Sequence, residues 1–327
     1  MMEATPRDLM GFDRVDSIIL RELYRWDGDN LPRGPLRVSL IDLAARTGLH
    51  RNTIQARLTA MKRGGILEGM VLEPRPTSSG LVRSGYLFEG PRFRDIGALQ
   101  EVLAPFPSVS SAVLCPGFLF LHLWHDMDQS PSKTAKAVAE ELGATRFIEG
   151  YVSTKFPPHP ADGIRPTPLE ARMMLALRRL PSRSMAAVAR ELRVTVRTAE
   201  RRARNLIERG GSAMVPRFRP GRVEGSLLVE YVAWEGDERA AAGLANAFPD
   251  RIVGPFGRGQ VSNVLVAVKS VEEMEERRWT VERLSGIGPL AAYLIQDILY
   301  PPAFESWLRV RVESVQSGWA RKEVGPS

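Results

Sequence analysis

Two stretches of this chain repeat each other without a gap. Residues 39–65, SLIDLAARTGLHRNTIQARLTAMKRGG, align with residues 184–210, SMAAVARELRVTVRTAERRARNLIERG, at a constant offset of 145. Ser39 meets Ser184, Ala44 meets Ala189, Thr53 meets Thr198, Arg57 meets Arg202 and Gly65 meets Gly210. Apolar character is kept at Leu43/Val188, Leu49/Val194 and Met61/Leu206. Upstream, Asp16, Ile19, Leu20 and Leu23 correspond to Glu170, Met173, Met174 and Leu177, so a preceding helix completes a three-helix unit in each copy. Such a repeat restricts the chain to architectures built from two related units.

Each copy reads as two short helices separated by a tight break. In the later copy Met185, Val188, Ala189 and Leu192 are apolar at helical spacing and Arg193-Val194-Thr195 interrupts. A second helix follows, with Val194, Ala199, Ala203 and Leu206 inward and Arg197, Glu200, Arg201 and Arg204 sharing the outward face. In the earlier copy Ser39 is a good N-cap for a helix over 40–47, Gly48 ends it, and the next helix runs from 51 to 63, where Gly64-Gly65 stops it. Ile54, Leu58 and Met61 point inward there, leaving Arg51, Asn52, Gln55 and Thr59 outward.

This is the outline of a helix-turn-helix, whose last helix enters the major groove of DNA. Guanidinium forks reach phosphates at any sequence and guanine edges at particular ones, while Asn and Gln match adenine. The earlier copy is therefore equipped for base reading and the later one for charge. An arginine face standing alone is as readily plain solvated surface; the charge distribution argues otherwise.

Residues 163–222 hold 15 arginines against four glutamates, net +11, whereas residues 1–75 carry net +2, residues 76–162 net −2 and the remainder net −4. The whole formal charge of +7 thus reflects one segment around the later copy, the clustering expected of a nucleic-acid surface. Composition is that of a globular protein, 44% hydrophobic and 25% charged. No run approaches the roughly 18 apolar residues of a membrane span. The opening MMEATPRDLM lacks the apolar core of a signal peptide, so a cytoplasmic location and no membrane partner are expected. The single cysteine, Cys115, excludes an internal disulfide and a thiolate metal cage, and reads as a small core residue.

Between the copies the period changes. Residues 66–74, ILEGMVLEP, have the length of a small hairpin, the usual wing, and PRPTSSGLVRSG, residues 74–85, reads as a linker. A strand beginning at Tyr86, a helix over 95–103, strands over 109–114 and 118–124, a helix over 131–142 and a strand over 146–153 then give βαββαβ, a ferredoxin-like unit. FLFLHLW, residues 118–124, is apolar at nearly every position, so both faces of that strand are expected to be covered. The order recurs after the second helix-turn-helix, over 226–298, and a terminal segment over 301–319 reads as a capping helix. The expected class is α+β, two winged helix-turn-helix domains (1–75 and 165–220) alternating with two ferredoxin-like βαββαβ domains (83–156 and 224–300), pseudo-two-fold, followed by a helical tail (301–327).

On FDRVDSIILREL, LAARTGLHRNTIQARLTAMKRGGIL and SVSSAVLCPGFLFLHLW, the chain resembles the Lrp/AsnC, or feast/famine, family of prokaryotic transcription regulators, twice over. The resemblance implies a sequence-specific regulator of double-stranded DNA whose sheets pair, here within one chain as an internal pseudo-dimer or between copies as a homo-oligomer. It also implies a possible small-molecule effector near the turn between the second and third strands, with Gly117, His122 and Gly259 as candidate positions. Family members that sense amino acids usually place an acid just after that glycine, whereas here Phe118-Leu119-Phe120 and Gln260-Val261-Ser262 follow. The two reading helices also differ, which points to an asymmetric operator.

Siroheme decarboxylases resemble the same family and supply the alternative reading, with His122 and His125 as candidates; three apart on a strand, the two point to opposite faces. A scaffold that has lost DNA is the third. No Ser/His/Asp arrangement, phosphate loop or spaced set of metal ligands stands out, so the chain is expected not to be an enzyme and to need no metal or cofactor.

Overall fold

The computed structural model describes residues 11–24, 26–27, 31–32, 39–126, 128–152, 165–179, 181, 183–233, 238–256, 262–283, 287 and 289–323. Helix α1 (Arg14–Tyr24) leads through two-residue strands β1 (Trp26–Asp27) and β2 (Leu31–Pro32) to α2 (Leu40–Thr47) and α3 (Arg51–Arg63). Then come β3 (Leu67–Pro74), β4 (Leu81–Glu89), α4 (Ile96–Leu103), β5 (Val109–Cys115), β6 (Phe118–Asp126), α5 (Pro131–Glu141) and β7 (Arg146–Val152). The later copy supplies α6 (Pro168–Arg179), α7 (Met185–Leu192), α8 (Val196–Glu208) and β8 (Ser212–Phe218). The chain closes with β9 (Leu227–Ala233), α9 (Glu238–Ala247), β10 (Val253–Phe256), β11 (Ser262–Val268), α10 (Val271–Glu282), β12 (Leu290–Ile295), β13 (Asp297–Leu299) and α11 (Pro302–Glu323). Among the described residues, no helix is long and apolar enough to cross a membrane.

Both βαββαβ runs fold with the same strand order. One sheet is β10-β11-β9-β12, and the other is β5-β6-β4-β7 with β13 added at the β5 edge. Alternation along β6 sends Leu119, Leu121 and Leu123 into a core with Tyr86, Leu99 and Val138. Phe118, Phe120, His122 and Trp124 lie on the opposite face. Cys115 is buried in β5, as its apolar setting suggests. In the other sheet Val264, Val266 and Val268 of β11 pack with Tyr231, Leu244 and Phe248, the Tyr231 and Phe248 rings stacking at 4.6 Å.

The chain divides into two compact units, Met1–Gly69 with Val215–Ile298, and Met70–Met214 with Leu299–Ser327. Each unit therefore joins the three-helix head of one repeat to the sheet of the other. In the first unit the start of α1 is tied to the approach to β9: the Phe12 N–H donates to the Glu224 carbonyl at 2.9 Å and the Ser226 hydroxyl to the Phe12 carbonyl at 2.8 Å. In the second unit Trp124, Leu81 of β4 and Ala171 of α6 form one cluster with Phe304, Leu308 and Val312 of α11. Trp124 meets Phe304 edge-on at 5.4 Å. The terminal helix thus covers Trp124 on the outer face of β6, where a partner was expected.

Three expectations are corrected. The segment 66–74 is no hairpin: β3 is one strand, and it pairs with β8 in a two-stranded ribbon. The segment 74–85 is not a linker throughout, since β4 already starts at Leu81 with Leu81 and Val82 buried. The βαββαβ order expected over 226–298 does not close on one strand: its end is split into β12 and β13, which enter different sheets. In each case the backbone polar groups find partners far away in sequence, which local alternation does not reveal.

Close approach shows at Gly221, where a Cβ would lie 2.8 Å from the Gln296 carbonyl oxygen and 3.0 Å from the Asp297 carboxyl carbon. Asp297 is held there by Arg219, whose guanidinium donates to both carboxylate oxygens at 2.8 and 3.2 Å. Gly221→Ala is expected to destabilise the protein by about 1–3 kcal/mol through this overpacking. Chemical denaturation checks it, and an unchanged midpoint would contradict the packing described.

Candidate nucleic-acid interface

The correspondence at offset 145 extends to the atoms that start and stop the helices. Ser39 accepts from the Asp42 N–H and Ser184 from the Ala187 N–H, both at 3.2 Å, capping α2 and α7. His50 Nδ1 accepts from the Asn52 N–H at 3.2 Å and Thr195 from the Thr198 N–H at 3.1 Å, capping α3 and α8. Gly48, at φ 70°, and Arg193, at φ 55°, occupy the same left-handed position after α2 and α7. Arg193 is the one described non-glycine residue with positive φ.

The inner faces agree as well. Ile54, Leu58 and Met61 of α3 and Ala199, Ala203 and Leu206 of α8 are buried at equivalent positions. Beside each stripe an inward arginine grips an acid of the first helix. Arg57 donates to Asp16 at 3.1 Å and to Asp13 at 2.6 Å. Arg202 lies 3.8 Å from Glu170 and Arg209 donates to the same carboxylate at 2.9 Å. Both acids are almost fully buried, and Glu170 also accepts from the Thr167 N–H at 2.9 Å. Burial pushes Asp16 up to about 6, against the lowering effects of the Asp13 amide and the Arg57 charge.

The outer faces carry the side chains left over. On α3, Arg51, Asn52 and Gln55 are exposed, and Thr59 is half-buried. Thr59 is committed to its own helix, donating to the Gln55 carbonyl at 2.8 Å and accepting from the Gln55 amide at 3.2 Å. On α8, Arg197, Arg201 and Arg204 are exposed, and among the described residues none of them makes an ion pair. Arg190 and Arg193 are exposed beside them, while Glu191 is taken by Arg183. Glu200 departs from the expected outward face: it is half-buried and engaged in the fold. The reason is angular, since Glu200 sits directly after the buried Ala199, at the margin of the apolar stripe.

The effector candidates do not assemble into one place. Gly117 lies exposed at φ 75° in the tight β5–β6 turn, its carbonyl accepting from the Gly90 N–H at 2.8 Å. Gly259 lies outside the described residues. His122 is half-buried, with Nδ1 2.8 Å from the Ser111 hydroxyl, and burial followed by the Arg83 charge holds its imidazole well below the usual range. His125 is buried on the other face, with both ring nitrogens in hydrogen bonds, to the Ser84 hydroxyl and the Asp126 carbonyl, each at 2.8 Å. The two histidines are separated by the sheet, as their spacing requires. Among the described residues, no group of three or more His, Cys, Asp or Glu side chains could hold a metal ion.

No family model and no curated protein matches the sequence. Solved structures similar to the chain include the siroheme decarboxylase NirDL, at 14% identity and TM-score 0.48, with 93% of this chain and 100% of that one covered. The same enzyme in co-complex with an iron-uroporphyrin III analogue aligns at 15% identity and TM-score 0.45, over 93% and 100%. An AsnC family transcriptional regulator from Agrobacterium tumefaciens aligns at 17% identity and TM-score 0.30, over 45% of this chain and 94% of that one. The expectation that the chain is not an enzyme is corrected here: the solved structures similar to it include an enzyme, and the exclusion of catalysis is withdrawn.

The acid–arginine clamps escaped the sequence reading, although the aligned pairs Asp16/Glu170 and Arg57/Arg202 were the signal that could have found them. Asp16 gives the clamp a pH signature. Its folded-state value near 6 exceeds the ordinary 3.8, so the folded protein holds this proton more tightly than the unfolded chain. The stabilisation is complete below about pH 4 and is lost as pH rises through 6, on the order of 3 kcal/mol across the window. Asp16→Asn should remove this component. The stability difference between variant and wild type is therefore expected to move in the variant's favour from pH 4 to 6.5, as measured by urea unfolding.

Proposed function

We propose that the chain is a sequence-specific, DNA-binding transcription regulator of Lrp/AsnC type with two reading heads in one polypeptide. In this reading 1–75 and 165–220 are winged helix-turn-helix domains, the wing of each being one strand of the β3–β8 ribbon and not a hairpin; 83–156 and 224–300 are ferredoxin-like domains related to each other by a pseudo-two-fold, and 301–327 is a helical tail. The observation that carries it is the sorting of arginines on α8. Arg202 of α8 and Arg209 just after it are paired with the buried Glu170, whereas the exposed Arg197, Arg201 and Arg204 have no acid paired to them among the described residues. Guanidinium groups held this way neutralise phosphates and release counterions. On α3, exposed Arg51, Asn52 and Gln55 offer the geometry that pairs with base edges. The heads then divide the work, α8 supplying affinity and α3 supplying selectivity, on an asymmetric site.

A second reading is a tetrapyrrole decarboxylase, and the observation favouring it is His122. Its ring is oriented by Ser111 and kept neutral by burial, so it is the residue a tetrapyrrole would meet. Incubation with sirohaem separates the readings: a Soret band lost in His122→Ala would support the enzyme.

For the DNA reading, Arg201→Ala should weaken binding several-fold and reduce the slope of log affinity against log salt by about one phosphate contact, roughly 0.9. Binding that is unchanged at two salt concentrations would count against it. Gln55→Ala should instead change the preferred sequence more than the affinity, as read by selection from a random DNA pool.

A further inference from the structure

We propose that a cavity in the second unit, between the start of α5 and the side of α11, binds a small aromatic anion and thereby steadies the second helix-turn-helix. The cavity has a volume of about 240 Å³, and its walls include Phe106, Trp124, Trp307, Ser130, Pro131 and Arg311. That is the liquid volume of about eight waters, room for a single ring with one substituent. Trp124 is almost fully buried, so the half-buried Phe106, Pro131 and Trp307 supply the apolar faces that recognise a flat ring by packing.

The charge comes from Arg311. Its guanidinium lies 5.5 Å from the Trp307 ring centroid and 3.0 Å from Asp126. Both members of that pair keep about a third of their side-chain surface exposed, 34% and 28%. A guanidinium has five N–H donors, so one carboxylate does not saturate it and a second anion has donors to meet. Ser130, the N-cap of α5, makes no capping bond with its side chain, and the positive end of that helix lies on the same wall. His125, also in the wall, has both ring nitrogens in hydrogen bonds and acts as fixed scaffold.

The regulatory consequence follows from what α11 touches. Its Trp307 and Arg311 line the cavity, while Phe304, Leu308 and Val312 pack with Ala171 of α6. Arg178 of α6 lies 4.8 Å over the Phe304 ring and pairs with Glu305 of α11 and with Glu73. A ligand that orders Trp307 and Arg311 therefore orders the helix on which α6, the first helix of the second head, is seated. This clause rests on the DNA-binding reading; ligand binding itself does not.

The test titrates full-length protein, without DNA, with benzoate and with its neutral isostere benzamide, following tryptophan fluorescence. Saturable binding of benzoate is expected, weaker by about tenfold or more for benzamide or for Arg311→Gln, the worth of one charge-assisted hydrogen bond. Asp126→Asn removes the competing carboxylate and should tighten benzoate binding, which a merely misfolded variant would not do. No saturable change with benzoate, equal binding of benzoate and benzamide, or weakened binding in Asp126→Asn would overturn the site. With DNA present, benzoate should raise the affinity of wild type and leave that of Arg311→Gln unchanged; benzoate binding without that rise overturns the coupling. DNA binding absent with and without benzoate instead defeats the regulator reading and leaves the site standing.

Discussion

In each head a nearly buried carboxylate of the first helix is gripped by an arginine from the inner side of the third. Asp16 and Arg57 form this pair in one copy, Glu170 with Arg202 and Arg209 in the other. Taking such charges out of water costs several kcal/mol per ion, which only close pairing and further hydrogen bonds offset. The arrangement is stable when complete and strongly unfavourable when one partner is missing. Together with the buried stripes Ile54/Leu58/Met61 and Ala199/Ala203/Leu206, it sets which side chains of the third helix face outward. In the second head Glu170 accepts hydrogen bonds from the Arg209 guanidinium and the Thr167 amide, with the Arg202 guanidinium 3.8 Å away. In the first, Asp16 keeps one carboxylate oxygen without a partner among the described residues, and burial raises its proton affinity.

From that arrangement the character of the two heads follows. On α8 the apolar stripe is narrow, Ala199 and Ala203 taking positions that α3 fills with Ile54 and Leu58, and four arginines, Arg197, Arg201, Arg202 and Arg204, stand among Thr198, Glu200, Asn205 and Glu208 on the rest of the helix. The nearby acids Glu170 and Glu191 are paired with Arg202, Arg209 and Arg183, and among the described residues no ion pair takes up Arg197, Arg201 or Arg204. Repulsion among exposed arginines is relieved by a polyanion, and the gain in salt-dependent affinity is the physical content of the proposed function. The left-handed Arg193 adds a guanidinium in the turn where the other copy has Gly48, a conformation that costs an L-residue roughly 1–2 kcal/mol.

The sheets serve these heads through an exchange of partners between the repeats. Each compact unit takes its three helices from one copy and its βαββαβ sheet from the other. Within the second unit α11 completes the arrangement, since Phe304, Leu308 and Val312 fill the space between Trp124 of the sheet and Ala171 of α6. The buried Arg178 sits at that junction, and the two acids flanking it outweigh the burial that opposes its charge. A helix at the end of the chain thus links the β4–β7 sheet to α6 of the second three-helix head.

Much of this was legible from the residues alone. The helices over 40–47 and 51–63, the caps at Ser39 and Ser184, the inward stripes of α3 and α8 and the two βαββαβ orders all follow from interactions within a few residues of each other. Such interactions write their period and their punctuation directly into the sequence. Strand partnership is different, because a pleated strand shows which residues alternate but not which strand it faces. So the pairing of β3 with β8, the early start of β4, the transfer of β13 to the other sheet and the joining of head to sheet across the copies were decided only in three dimensions. The same holds for the arginines: their number and clustering are properties of the chain, but which of them are spent on buried acids and which remain for a ligand depends on groups brought together from far apart.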